Sequence, residues 1–215
     1  MFASPNCPME NLARAPLTKG RPGSRVTFFP SRKNGGPVAC GNLMQADYCV
    51  HLEYRPDVLS YQCRPPTLCC GALRYKADFL VALNRGPAVY LKFLPPGDQP
   101  GAFTRTQQQA VEAMLRDRDL LFSWLASKDL PHALVSNNLR YLYHYSFGSS
   151  QRAARQVRAQ VTALAEQRAT FEALLASGAT PADISHAIFL DELWINLEQP
   201  LTPQTMIYGG RDGQL

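Results

Sequence analysis

Apolar positions change period several times along the chain, and each change predicts an element. From Asn42 to Tyr54, NLMQADYCVHLEY places Leu43, Met44, Asp47, Val50 and Tyr54 at helical spacing, and Pro56 closes the segment. Short strands follow: VLSYQC (58–63), LCCGALRY running into KADFLVAL (68–83), and AVYLKF (88–93). The turns between them are RPPT and NRGP. RTQQQAVEAMLRDRDLLFSWLASK (105–128) is apolar on one face and predicts a second helix. PHALVSNN (131–138) predicts a further strand, and Leu139 to Tyr145 a short helix. This alternation of helices and strands belongs to an α/β domain with a mixed sheet flanked by helices.

After FGSS the texture changes. QRAARQVRAQVTALAEQRATFEALLASG predicts one amphipathic helix, with Val157, Val161, Leu164, Phe171 and Leu175 inward and Gly178 as its stop. Thr180-Pro181-Ala182-Asp183 then carries the signature of a helix start, with Thr as N-cap, Pro first and Asp third. Two helices, a tight turn and the strand-like LWINL match a small winged helix-turn-helix; a helical cap on the first domain is the alternative. The expected organisation is an arm over 1–37, a core domain over 38–148 and a winged-helix-like domain over 149–215.

Composition adds limits. The 215 residues are 46% hydrophobic and 18% charged, enough for a real core. No apolar run of about 18 residues exists, so no membrane span is expected. The N-terminal stretch MFASPNCPMENLARAP lacks an apolar signal region, and a cytoplasmic location is expected. The net charge is +5, and residues 1–40 hold six basic side chains against the single acid Glu10. Such an arm, with Arg25, Arg32 and Lys33, is expected to be flexible; it suits nucleic-acid phosphates, or is only a solvated tail. The six cysteines form no CxxC pair, and buried free thiols are expected.

The segment RYKADFLVALNRGPAVYLKF outlines the chemistry of a metal-dependent nuclease. Asp78 stands where a metal ligand belongs and Lys92 where a water-polarising lysine belongs. Tyr90, two residues before that lysine, occupies a position that wants a carboxylate or an amide. Without a metal, Asp78 and Lys92 would form an ion pair across the sheet. Arg64, Arg74, Lys76 and Arg85 flank the expected cleft and could line a path for DNA, or form a solvated rim. Tyr141, Tyr143 and Tyr145 suit core packing better than base stacking.

The ordered set GNLMQADYCVHLEYRP, VLSYQCRPP, KADFLV, YLK, VSNNLRYLYHY and DELWINLEQPLTPQTMIY resembles the TnsA family, the endonuclease subunit of heteromeric transposases. The resemblance runs from about residue 38 to 208. It implies a restriction-endonuclease-like α/β domain, a C-terminal winged helix, and cleavage of the 5′ ends of a mobile element with Mg²⁺. It also implies three partners: DNA at the element ends, a DDE-type transposase and an AAA+ ATPase regulator. The family's helix glutamate aligns with the segment Gly41 to Gln45, where this chain has Gln45. The Pro of its Pro-Asp-Phe is Ala77, the Gln of its Gln-Pro is Arg64, and its ligand before the lysine is Tyr90.

Mg²⁺ wants hard, charged oxygens in octahedral array. Gln45 retains an oxygen but removes a charge, and Tyr90 offers a neutral phenol. Asp47, about 200° around the helix from Gln45, faces away, and Glu53 is more than two turns distant. The expected reading is a weak or inactive member, kept for scaffolding or DNA positioning. A non-catalytic DNA-binding regulator and an unrelated metal-dependent nuclease are the alternatives.

Overall fold

The computed structural model describes residues 8–17, 26–94 and 104–210. It is a mixed α/β chain with several sheets, and six α-helices fall among the described residues. Two compact units are distinguished: residues up to Cys49 with Asp57–Leu130, and Val50–Pro56 with the residues from Pro131 onward. In chain order the first unit contains β1 (Glu10–Leu12), β2 (Thr27–Ser31), β3 (Gly36–Cys40) and most of helix α1 (Leu43–Tyr54). It continues with β4 (Val58–Cys63), β5 (Thr67–Cys70), β6 (Leu73–Tyr75), β7 (Phe79–Leu83), β8 (Val89–Phe93), α2 (Arg105–Arg116) and β9 (Leu121–Leu125). The second unit holds the end of α1, then α3 (Ala133–Ser146), α4 (Gln151–Thr162), β10 (Arg168–Thr170) and α5 (Phe171–Ala176). It closes with α6 (Pro181–Phe189), β11 (Trp194–Ile195) and β12 (Met206–Tyr208).

The main sheet of the first unit has the order β4-β7-β8-β9, antiparallel except for the parallel β8–β9 pair. Both faces are covered, as a sheet with a parallel pair requires. On one face Tyr48 of α1 meets Phe79 and Phe93, with ring centroids 5.6 and 5.2 Å apart. On the other, Tyr90, Phe122 and Trp124 pack on a buried cluster that includes Val111, Met114 and Leu115 of α2.

Several expected boundaries move. LCCGALRYKADFLVAL is three strands, because Gly71 at φ +58° turns the chain so that Cys70 pairs with Leu73. α2 ends at Arg116 rather than running to 128. Asp119, at φ +53°, closes it with Leu120 N–H on the Leu115 carbonyl and Asp119 N–H on that of Arg116. The aromatic run LFSWL is thereby released as β9, beside β8. PHALVSNN is not a strand: α3 starts within it and buries Leu139, Leu142 and Tyr143. The single helix expected over 151–178 is two helices with β10 between them. Gln167 at φ +47° interrupts it and Thr170 caps α5. Leu164 and Leu175, expected inward, are exposed. The Thr180 capping box forms as expected, with Asp183 Oδ2 accepting from Thr180 N–H.

The expected flexible arm over 1–37 is corrected in its described parts. β1 pairs with β5, and β2–β3 is a hairpin whose turn Asn34 anchors by accepting the Tyr61 N–H at 3.0 Å. The boundary expected at 148/149 falls at Leu130/Pro131, because α3 shares the buried cluster of α4 and α6 through Leu142. Among the described residues no helix is long and apolar enough to cross a membrane.

In the second unit, burial and then the charge of Arg140 lower the pKa of His51 to about 4. A histidine held neutral gives its full contribution above the ordinary value near 6.5 and loses it as pH falls toward 4. The expected loss is about 2–3 kcal/mol over that window. Urea titrations of the wild type and His51→Gln at pH 7 and pH 4.5 should show a smaller pH-dependent loss in the variant. Equal losses would contradict the assignment.

Candidate functional site

Asp78 closes the turn into β7, and backbone hydrogen bonds fix it from both sides. Its N–H donates to the Leu91 carbonyl at 2.8 Å, and its carbonyl accepts the Arg64 N–H at 2.7 Å. β4 and β8 therefore grip the residue before its side chain is considered. The carboxylate is largely buried, with the side chain 12% exposed. Oδ2 accepts from Lys92 Nζ at 3.0 Å and from the Phe93 N–H at 2.9 Å. Oδ1 accepts from Gln45 Nε2 at 2.9 Å.

Gln45 arrives on the first turn of α1. Asn42 Oδ1 accepts the Gln45 N–H at 2.8 Å and so satisfies a free N–H at the helix start. Gln45 Oε1 accepts from the Gly41 N–H at 2.8 Å and from the Cys63 thiol at 3.4 Å. Its amide nitrogen is thus turned toward Asp78 by bonds at its other end. Nearby, Cys40 and Cys49 place their sulfurs 3.7 Å apart. Hydrogen bonding to Cys49, with burial adding, pushes the Cys40 thiol up to about 12, and the bond to Cys40, with burial adding, raises Cys63. These are neutral thiols; all five described cysteines are free.

The other predicted residues separate. Tyr90 packs its ring 6.5 Å from that of Tyr75 in the apolar cluster under α2. Burial raises its pKa, so it offers no anionic oxygen. Arg64 lies beside Gln45, while Arg74 and Lys76 are exposed, Arg74 Nη1 lying 3.8 Å from the Cys69 sulfur. Arg32 and Lys33 occupy the β2–β3 turn rather than an arm. Arg25 lies outside the described residues.

Arg14 was not singled out by sequence, yet it belongs to this place. The segment after β1 runs past the site, and Arg14 Nη1 donates to the Ala77 carbonyl at 2.8 Å. Burial lowers its pKa, the charge of Arg64 lowers it further, and Asp78 opposes both. The only available signal was its membership of the basic N-terminal run. Nothing in the spacing tied that run to residue 77.

Does this donor set fit Mg²⁺? The cluster holds one carboxylate, and N–H or ammonium donors point at both its oxygens. Among the described residues no three His, Cys, Asp or Glu side chains converge. A hard dication prefers several charged oxygens with free lone pairs, and here it would also meet three fixed cations. The set does not fit, and no catalytic step through a metal is derived.

The ion pair carries a stability prediction. Asp78→Ala strands the Lys92 charge, 19% exposed, and leaves two further donors without their acceptor. The expected cost is about 3 kcal/mol. Asp78→Ala/Lys92→Met should cost at least about 1 kcal/mol less than the sum of the single variants. Urea unfolding of the four proteins checks this; strict additivity would contradict a coupled pair.

No family model matches the chain, and no curated protein matches it.

Proposed function

We propose that this chain is a catalytically silent relative of the TnsA-type endonuclease subunit, positioning the ends of a mobile DNA element without cutting them. One observation carries the reading. Helix residue Gln45, strand-entry residue Asp78 and strand residue Lys92 meet at one point, within hydrogen-bonding distance. They come from α1, the entry to β7, and β8 in the order α1-β4-β5-β6-β7-β8-α2-β9, on the mixed sheet β4-β7-β8-β9. That element order and residue placement support a restriction-endonuclease-like domain. The amide at Gln45 and the phenol at Tyr90 remove the charges from which metal-assisted hydrolysis would start.

The order α4-β10-α5-α6-β11-β12, with sheet order β10-β12-β11, supports a winged-helix reading of the second unit. It does not favour reading of DNA bases through α6. Ile184 to Ile188 are all buried, so α6 has little free face to offer a groove. The second unit suits protein contacts better. On this reading its partners are a DDE-type transposase and an AAA+ ATPase regulator, with DNA held by the first unit. A stand-alone regulator that binds DNA through α6 is correspondingly less favoured.

The test is a cleavage assay with the full chain, its transposase and end-bearing DNA in Mg²⁺ or Mn²⁺. The expected outcome is no strand cutting by this chain above the level of Asp78→Ala. Cuts that need Asp78 would contradict the silent reading.

A further inference from the structure

The charge balance around Asp78 is the reverse of what a metal centre needs. Lys92 lies 3.0 Å from the carboxylate and already neutralises it. Two more cations remain. Arg14 is held against Ala77, the residue before Asp78, through one of its five donors, the only side-chain hydrogen bond it makes among the described residues. Arg64 is held by its own backbone N–H on the Asp78 carbonyl, at φ +54°. For a non-glycine residue that conformation costs on the order of 1 kcal/mol, and such outliers concentrate at functional sites. The Arg64 side chain passes against Gly41, the residue whose N–H Gln45 accepts. A Cβ built on Gly41 would stand 3.4 Å from Gln45 Oε1, 3.6 Å from Arg64 Cδ and 3.7 Å from Leu17 Cδ2. The segment carrying Arg14, the side chain of Arg64 and the first turn of α1 therefore close on one spot.

Both guanidiniums are half-buried, and the acid that acts on Arg14, Asp78, is already paired with Lys92. Their mutual repulsion contributes to holding Arg14 below its ordinary pKa. Like charges gathered in a partly dry site are costly unless an anion joins them. Guanidinium forks suit the oxygens of a phosphate, binding them without a metal.

We propose that Arg14 and Arg64, beside the neutralised Lys92–Asp78 pair, form a metal-independent phosphate-binding site, in which an arginine from the N-terminal segment replaces the divalent cation of a nuclease. The ligand is a phosphate group of DNA, either a backbone phosphodiester or a 5′-terminal phosphate. The choice of DNA as its source rests on the function proposed above; the anion chemistry does not. The site grips the backbone and leaves it intact, since no group there can generate a nucleophile.

The experiment observes the arginine Nε–Hε resonances of the full chain in EDTA at constant ionic strength, first with inorganic phosphate and then with a short duplex. Arg14→Gln and Arg64→Gln assign the two signals. Both signals should shift saturably with phosphate while exposed arginines such as Arg152 do not. If Arg14 and Arg64 shift no more than Arg152, the proposal is overturned, whatever the variants do. With the duplex, Arg14→Gln/Arg64→Gln should weaken affinity at least tenfold and lower the salt slope by one to two, against a smaller effect of Lys76→Gln. A 5′-phosphorylated duplex that outcompetes the 5′-hydroxyl form assigns the terminal phosphate; equal binding assigns the backbone. Phosphate shifts without duplex binding would uphold the site and sink the DNA-positioning reading. Duplex binding unchanged in the double variant would overturn the proposed phosphate contact and leave that reading standing.

Discussion

The carboxylate of Asp78 sits where separate stretches of chain meet, and its single negative charge decides what each contributes. β8 brings an ammonium and a backbone N–H, and α1 brings an amide. The N-terminal segment brings a guanidinium anchored one residue away. The two side-chain donors are held by the fold before they reach the carboxylate, Lys92 by its strand and Gln45 by Asn42 and Gly41, while Arg14 stops at the Ala77 carbonyl. A largely buried carboxylate is tolerable only when so satisfied. The same arrangement leaves little negative charge over for a dication.

This explains how glutamine at position 45 can preserve a site while changing its chemistry. A second carboxylate there would be repelled by Asp78 unless a cation came between them. An amide reverses that requirement, because its N–H makes the contact directly and needs no ion. Once the bridging cation is dispensable, positive side chains can occupy its surroundings, and Arg14 and Arg64 do. On the proposed reading, the result is a place that suits an anion better than a metal cation.

Much of the site was legible in the sequence because its parts are local. α1, β4 and β8 follow from period and from Pro, Gly and Asn punctuation, and Asp78 and Lys92 stand out as charges within apolar strands. The elements that were misread share a physical cause. Asp119 ends α2, and Gln167 leads into β10, both in left-handed conformations that glycine usually supplies, so two helices were read too long. PHALVSNN resembled a strand in isolation, but Leu134 is exposed and the segment is drawn into α3 by the residues that follow it, Leu139, Leu142 and Tyr143, which are buried. Arg14 was invisible as a site residue because a 63-residue separation along the chain carries no periodic signal. Tyr90 was placed by alignment, whereas the adjacent aromatic cluster draws its ring.

The most direct measurement is a calorimetric or electron-paramagnetic titration of the purified chain with Mn²⁺. The account predicts no saturable binding up to about 1 mM, the range in which weak oxygen-ligand sites fill. A single saturable site that disappears in Asp78→Asn would contradict it.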